Sequence, residues 1–307
     1  MIEKGYIIKT VRKVQKFTFL TIIKQRQVYL TEIGLYFYLF LFREKLKCFK
    51  IMIVSRIHYL PLILFILFPT TFLGTYIAAV LQGHVEPEFP YISDAATYPP
   101  ESCVFGQLIN IGAILLCIMV YIRYCEVCQY YESYSISPKV IRLNKAGVWL
   151  GVFSCLGLSI VANFQETSVK YVHYFGATLC FGVGTIYFWI QALCSYHMHP
   201  IANSIIMAHL RITLAMICTM FFFVVAVAGL MSHLKYKGHN PRKWYPNDGG
   251  WELHVASTIS EWIVAVCFCI YILTFYSEFS EISFSHPEIL LKNSENALLQ
   301  ESEEVIS

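Results

Sequence analysis

A small set of polar side chains interrupts otherwise apolar runs, and their spacing is where chemistry could occur. Glu261 lies seven residues into the last apolar run, about 10 Å deep at 1.5 Å per residue. His254 and Thr258, at i−7 and i−3, share its helix face. Asn110 sits at a similar depth in the second run with Gln107 one turn above, Asn163 and Gln165 close the third run, and His173 opens the fourth. One reading is a water-accessible pocket for a lipid headgroup, a proton or a small solute, because an ionisable residue within a membrane is costly and marks a functional site by default. The other is interhelical glue, with amides and carboxyl pairing to fix packing. His84, Asp94, His173, His254 and Glu261 could gather as metal ligands, but paired His at i and i+4 flanking a Glu is absent. Neither a phosphate-cradling glycine loop nor a serine nucleophile elbow occurs. No catalytic residue, metal or cofactor is therefore expected.

These residues need membrane helices to position them. Of 307 residues, 57% are apolar and 14% charged, against about 45–50% and about 25% in soluble domains. That composition excludes a water-soluble enzyme and makes a nucleic-acid partner improbable. Six runs reach the roughly 20 residues a span requires: Ile57–Leu81, Cys103–Tyr121, Leu143–Phe164, Val172–Tyr196, Ile212–Leu234 and His254–Tyr276. Short connections make neighbours antiparallel, and only helices satisfy the backbone in lipid. The expected fold is an all-α integral membrane protein, a six-transmembrane-helix antiparallel bundle.

Basic residues set the expected orientation. Placing both termini in the cytosol puts 18 Lys and Arg on that face against 5 opposite, or 7 against 5 without residues 1–50. The first outer connection, 82–102, holds four acids and no cation. The polar residues above then fall in the luminal half, and the cytosolic half is expected to hold no comparable set. Residues 1–51 are basic and aromatic and too short in their apolar stretch to span. They read either as a segment lying on the membrane or as an extension upstream of a natural start at Met52, the latter favoured. The eleven Cys residues lie almost wholly in apolar runs or on the cytosolic side, so no disulfide framework is expected.

Several stretches carry a family likeness. Phe89-Pro90-Tyr91-Ile92-Ser93-Asp94 in the first outer loop resembles the signature of the Frag1/DRAM/Sfk1 family. Leu143-Asn144-Lys145-Ala146-Gly147, continuing through Ser154 to Gln165, resembles the third span of its damage-regulated autophagy modulator branch. The Gly176, Phe181, Gly182, Gly184 pattern ending at Tyr196-His197-Met198-His199-Pro200, and the group Trp244, Pro246, Asp248, Gly250, His254, Glu261 and Trp262, follow the same branch. The likeness covers about residues 55–285. It implies a six-span protein of the lysosomal membrane, or of Golgi or endosome, that promotes autophagy and in some members cell death, with membrane lipids and unidentified membrane or cytosolic proteins as partners. Relatives in the wider family act in glycosylphosphatidylinositol-anchor remodelling and phosphoinositide regulation, so a lipid-remodelling enzyme or accessory factor is the alternative.

Smaller signals complete the reading. Cys125, Cys128 and Cys194 near the cytosolic face are candidate palmitoylation sites. Gly176, Gly182 and Gly184 fit close helix approach. Tyr276-Ser277-Glu278-Phe279 fits a Tyr-x-x-bulky sorting pattern, and Leu298-Leu299 follows Glu295 one residue too close for an acidic dileucine. Residues 281–307 read as an acidic, solvated tail.

Overall fold

The computed structural model describes residues 56–134 and 137–283. The readings of residues 1–51, and of the tail beyond 283 with its dileucine, lie outside them. Six helices are long and apolar enough to cross a membrane: α1 Tyr59–Leu81, α2 Glu101–Tyr134, α3 Pro138–Asn163, α4 Lys170–Met198, α5 Ile205–Lys235 and α6 Trp251–Leu273, the last continued by a short α7, Tyr276–Ser280. Strands are absent among the described residues. The chain is a multi-span helical protein, in agreement with the sequence.

Each helix starts and stops for local reasons. Ser137 accepts a bond from the Lys139 amide while Pro138 opens α3, and Ser204 accepts from the Met207 amide to start α5. Between α5 and α6 the chain must turn tightly. Gly249 and Gly250 adopt φ of 81° and 69°, and a Cβ on either would meet a carbonyl oxygen of Lys235 or Ser232 at 2.5 or 2.7 Å. One boundary departs from expectation. The connection predicted between residues 121 and 143 is mostly helix, because α2 runs for 34 residues to Tyr134. Nothing in that stretch breaks a helix before Pro138, and the Arg123–Glu126 pair at i, i+3 supports it. Cys125 and Cys128 therefore lie on α2 itself.

The layout is central-and-peripheral rather than even. The apolar window of α6 is 56% buried and that of α5 only 22%, so α6 forms the core and α5 faces outward. Phe188 and Tyr271 stack at 3.8 Å between α4 and α6. α3 and α4 approach at glycines: a Cβ on Gly157 would meet the Cys180 amide nitrogen at 2.5 Å and the Gly176 carbonyl at 2.6 Å. Gly184 likewise leaves room for Ser154 and Phe268. These contacts match the close approach expected of the α4 glycines. Just there α4 widens into a π-helical segment, Thr178–Val183. α4 and α5 pack along Gly184–Met198 and part toward Lys170. That divergence opens the cavity described next.

Candidate functional site

At the end of the bundle bearing the 82–100 connection, the signature segment is pinned onto α6 by three bonds. The Ile92 amide donates to Glu261 Oε2 at 2.9 Å, Tyr91 Oη to Ser257 Oγ at 2.7 Å, and Trp262 Nε1 to the Pro90 carbonyl at 3.0 Å. Phe89 reaches this arrangement with φ at 49°, a region that a bulky residue seldom occupies, so the docking holds a strained turn. Gly229 on α5 makes room for it: a Cβ there would lie 3.2 Å from Tyr91 Oη. Tyr91 also meets the His254 ring edge-on at 5.3 Å, and Trp244 stacks on that ring at 4.2 Å.

Asp94 opens a short 3-10 turn, Asp94–Ala96, and is 6% exposed. Its carboxyl faces Glu166 from the α3–α4 turn, with Glu261 and Arg242 nearby. Burial first, and the neighbouring carboxylates second, push the Asp94 carboxyl well above its ordinary 3.8, against the opposing pull of Arg242. Burial also pushes the Tyr91 phenol up. Glu166 accepts from Tyr174 Oη at 2.6 Å.

Where α4 and α5 part lies a cavity of about 420 Å³. Ala177, Phe181, Phe222, Ala226 and Leu230 make its walls, and Glu261 and Tyr91 reach it from the core side. A second space of about 280 Å³, lined by Asp94, Glu166, Lys170, His233 and Arg242, shares Tyr91, Glu166, Lys170 and His233 with the first. Together they form one amphipathic recess, polar at the rim and apolar between the helices.

The predicted polar residues separate into four groups. Glu261 and His173 line the recess; His173 also bonds the Phe164 carbonyl through Nδ1 at 2.7 Å. His254 packs behind Tyr91, and Thr258 turns back to the Val255 carbonyl at 3.1 Å. Asn110 and Asn163 instead form a reciprocal amide pair, 3.0 Å in both directions, with Ser159 donating to Asn110 at 2.7 Å. They clasp α2 to α3 away from the recess. Gln107 is exposed and Gln165 half-buried. Both readings of the set thus find residues: glue for the two asparagines, a lined recess for Glu261 and His173. No group of three or more His, Cys, Asp or Glu suited to a metal occurs among the described residues.

At the opposite end the expectation of an empty half is overturned. Arg123, Arg211, Glu126 and Glu278 form a fully buried network. Arg211 grips Glu278 with two parallel bonds of 2.9 Å, and Arg123 reaches Glu278 at 2.8 Å and Glu126 at 2.9 Å. Gln191, Ser195 and Thr274 satisfy the remaining guanidinium donors, and Phe275 lies under both arginines at 5.0 and 4.2 Å. In sequence each arginine sits at the edge of an apolar run and reads as an ordinary interfacial cation. The shared carboxylate of Glu278, 155 residues from Arg123 and 67 from Arg211, draws both inside. Glu278 also takes its neighbour with it: Phe279, the bulky end of the Tyr276–Phe279 pattern, is fully buried, while Tyr276 stays exposed, so the two ends of the pattern are not presented together. Cys194 is likewise fully buried, between Val127, Val140 and Met198, which leaves no access for an acyl chain. Cys125 and Cys128 are half-buried, and Cys128 accepts from Asn144 at 3.6 Å.

Residues 56–282 match the Frag1/DRAM/Sfk1/Cwh43P N-terminal domain, a span that takes in the signature loop, the recess and the arginine network. The chain belongs to the Frag1/DRAM/Sfk1 family. Within this family it is similar to DNA damage-regulated autophagy modulator protein 2 of Bos taurus, 38% identical over 234 residues covering 73% of this chain and 85% of the relative. DNA damage-regulated autophagy modulator protein 1 of Homo sapiens is 37% identical over 226 residues, covering 73% and 92%. The modulator of macroautophagy TMEM150B of Danio rerio is 34% identical over 200 residues, covering 64% and 73%. No solved structure matches the chain. The Frag1/DRAM/Sfk1 likeness drawn from the signature loop and the spans is therefore correct, and these relatives are named as modulators rather than as enzymes.

Proposed function

We propose that this chain is a non-enzymatic modulator of autophagy in the lysosomal membrane, acting by holding a membrane lipid in the recess between α4 and α5. In this reading both termini face the cytosol and the signature loop faces the lumen. The names of the relatives support the process. The observation that carries the molecular reading is the recess itself: apolar walls between α4 and the outward-facing α5, ending on Glu261 and a polar rim. Apolar clefts with a few convergent polar groups are where ligands bind. An entry between helices suits a ligand already in the bilayer.

Orientation draws on the acidic, cation-free first loop and on the basic residues before Arg56. The core count no longer contributes. With Arg123 and Arg211 neutralised inside the bundle, 7 against 5 becomes 5 against 5.

The test is complementation in cells lacking endogenous relatives, read as lysosomal co-localisation and autophagic flux. Wild-type chain is expected to restore flux. Glu261→Gln and the cleft-filling Thr178→Trp are expected to reach the same membrane but restore it poorly. Full flux from both variants would overturn the recess as the working part. A second reading rests on Asp94, Glu166 and Glu261 converging on one recess, an arrangement general acid–base catalysis uses. It makes the chain a lipid-remodelling factor, and a covalent change in lipid incubated with the purified protein would decide for it.

A further inference from the structure

The rim of the recess has a chemistry of its own, and it narrows the ligand. Arg242 donates from Nη1 to Tyr98 Oη at 3.0 Å, but its Nε is buried with no acceptor. Lys170 places its ammonium 5.3 Å from the centre of the Tyr174 ring. Among the described residues neither cation forms a salt bridge, yet both line the same 280 Å³ space. A buried guanidinium donor without an acceptor calls for an anionic oxygen, and phosphate supplies several. Asp94 and Glu166 share that space. A purely anionic headgroup would therefore meet the Glu166 carboxylate as like charge, whereas one that also carries an ammonium group would satisfy both sides, with Asp94 as a further oxygen partner. Below the rim, the apolar part at about 420 Å³ is near the small end of ligand sites, which run from about 300 to 1,000 Å³. Its apolar walls between α4 and α5 have room for one hydrocarbon chain.

We propose that the recess takes a single-chain zwitterionic phospholipid, with phosphate against Lys170 and Arg242, ammonium toward Asp94 and Glu166, and the chain between α4 and α5. This assignment rests on the lipid-holding reading above and adds the headgroup class to it. Zwitterionic and anionic lysolipids share a phosphate and differ in the ammonium, so selectivity between them reports on the carboxyl side of the rim.

The experiment uses the full chain in nanodiscs with a lysophosphatidylcholine bearing a photoreactive tail, and maps the crosslinked residues by mass spectrometry. Lysophosphatidylcholine, lysophosphatidylethanolamine, lysophosphatidic acid, monoacylglycerol, sphingosine and free phosphocholine serve as competitors. Labelling is expected on residues 177–181 and 222–230, with the two zwitterionic lysolipids competing about tenfold better than the other four. Lys170→Ala combined with Arg242→Gln, both outside the packed core, is expected to lower labelling by roughly tenfold or more. Ala226→Trp, a larger apolar side chain on an outward-facing position, should abolish it. Labelling of these helices with equal competition by all lysolipids overturns the headgroup class and leaves the lipid-holding reading standing. Phosphocholine competing as well as the intact lipid overturns the chain's part in recognition. No labelling of α4 and α5 overturns both proposals.

Discussion

Glu261 and Glu278 lie near opposite ends of the same last helix and its continuation, and each organises a different surrounding. Glu261 Oε2 receives the Ile92 amide and so fixes the signature loop. Replacing it with Ala leaves a donor unsatisfied and is expected to cost about 1–3 kcal/mol; Gln keeps an acceptor there and should cost less. Thermal unfolding in detergent compares the two, and equal midpoints for Glu261→Ala and wild type would mean the loop docks without it. Glu278 sits between two arginines whose charges it partly cancels. Removing one member leaves an uncompensated buried charge, so Glu278→Ala or Arg211→Ala should destabilise by about 3–5 kcal/mol. Arg211→Met with Glu278→Leu should be milder than either single change, because both charges leave together. Glu261 could be picked out in sequence because a carboxylate inside an apolar run is conspicuous. Arg123, Arg211, Glu126 and Glu278 could not, because each stands at the edge of a run, where charge is ordinary.

Among the elements, the glycines of α4 sit at close helix approaches as expected, and Gly157 on α3 joins them, but the sites are not equal. At Gly157 an added Cβ would press on backbone, the Cys180 nitrogen and the Gly176 carbonyl. At Gly182 it would meet only the far edge of the Phe222 ring at 3.0 Å. Gly157→Ala is therefore expected to lose about 1–3 kcal/mol through overpacking, while Gly182→Ala stays near neutral because the ring can turn. A chemical-unfolding series on the two variants checks this, and equal losses would contradict the backbone contact. Helix existence and order were readable from apolar run length alone. The extension of α2 to Tyr134 was not, because its polar residues end the apolar run without breaking the helix, and neither was the π segment in α4, which no apolar pattern marks.

For the molecule as a whole, the loop-bearing end has a pH preference. Asp94, faced by Glu166, Glu261 and Arg242, has its carboxyl raised above the ordinary 3.8 in the folded state. The folded form therefore binds more protons than the unfolded form once pH exceeds about 4, and stability falls as pH rises from there toward the raised value. The unfolding midpoint is expected to drop between acidic and neutral pH, and Asp94→Asn to flatten that dependence. A wild-type midpoint that rises over the same interval would reverse the assignment. An acidic compartment is the setting in which this end would be most stable.

The amino-acid sequence by itself determined the membrane class, the six spans and their order, the family, and Glu261 as a buried carboxyl. These follow from local quantities: the length of apolar runs, the composition between them, and short motifs on contiguous residues. Tertiary structure decided the rest. It separated Asn110 and Asn163 from the recess, brought Asp94 and Glu166 to its rim, buried Phe279 and Cys194, and drew two arginines into the far end of the bundle. Those outcomes depend on helix rotation and on contacts between residues more than fifty positions apart. A single chain's hydrophobic pattern carries little of that, because in lipid an apolar side chain on the outside costs no more than one on the inside.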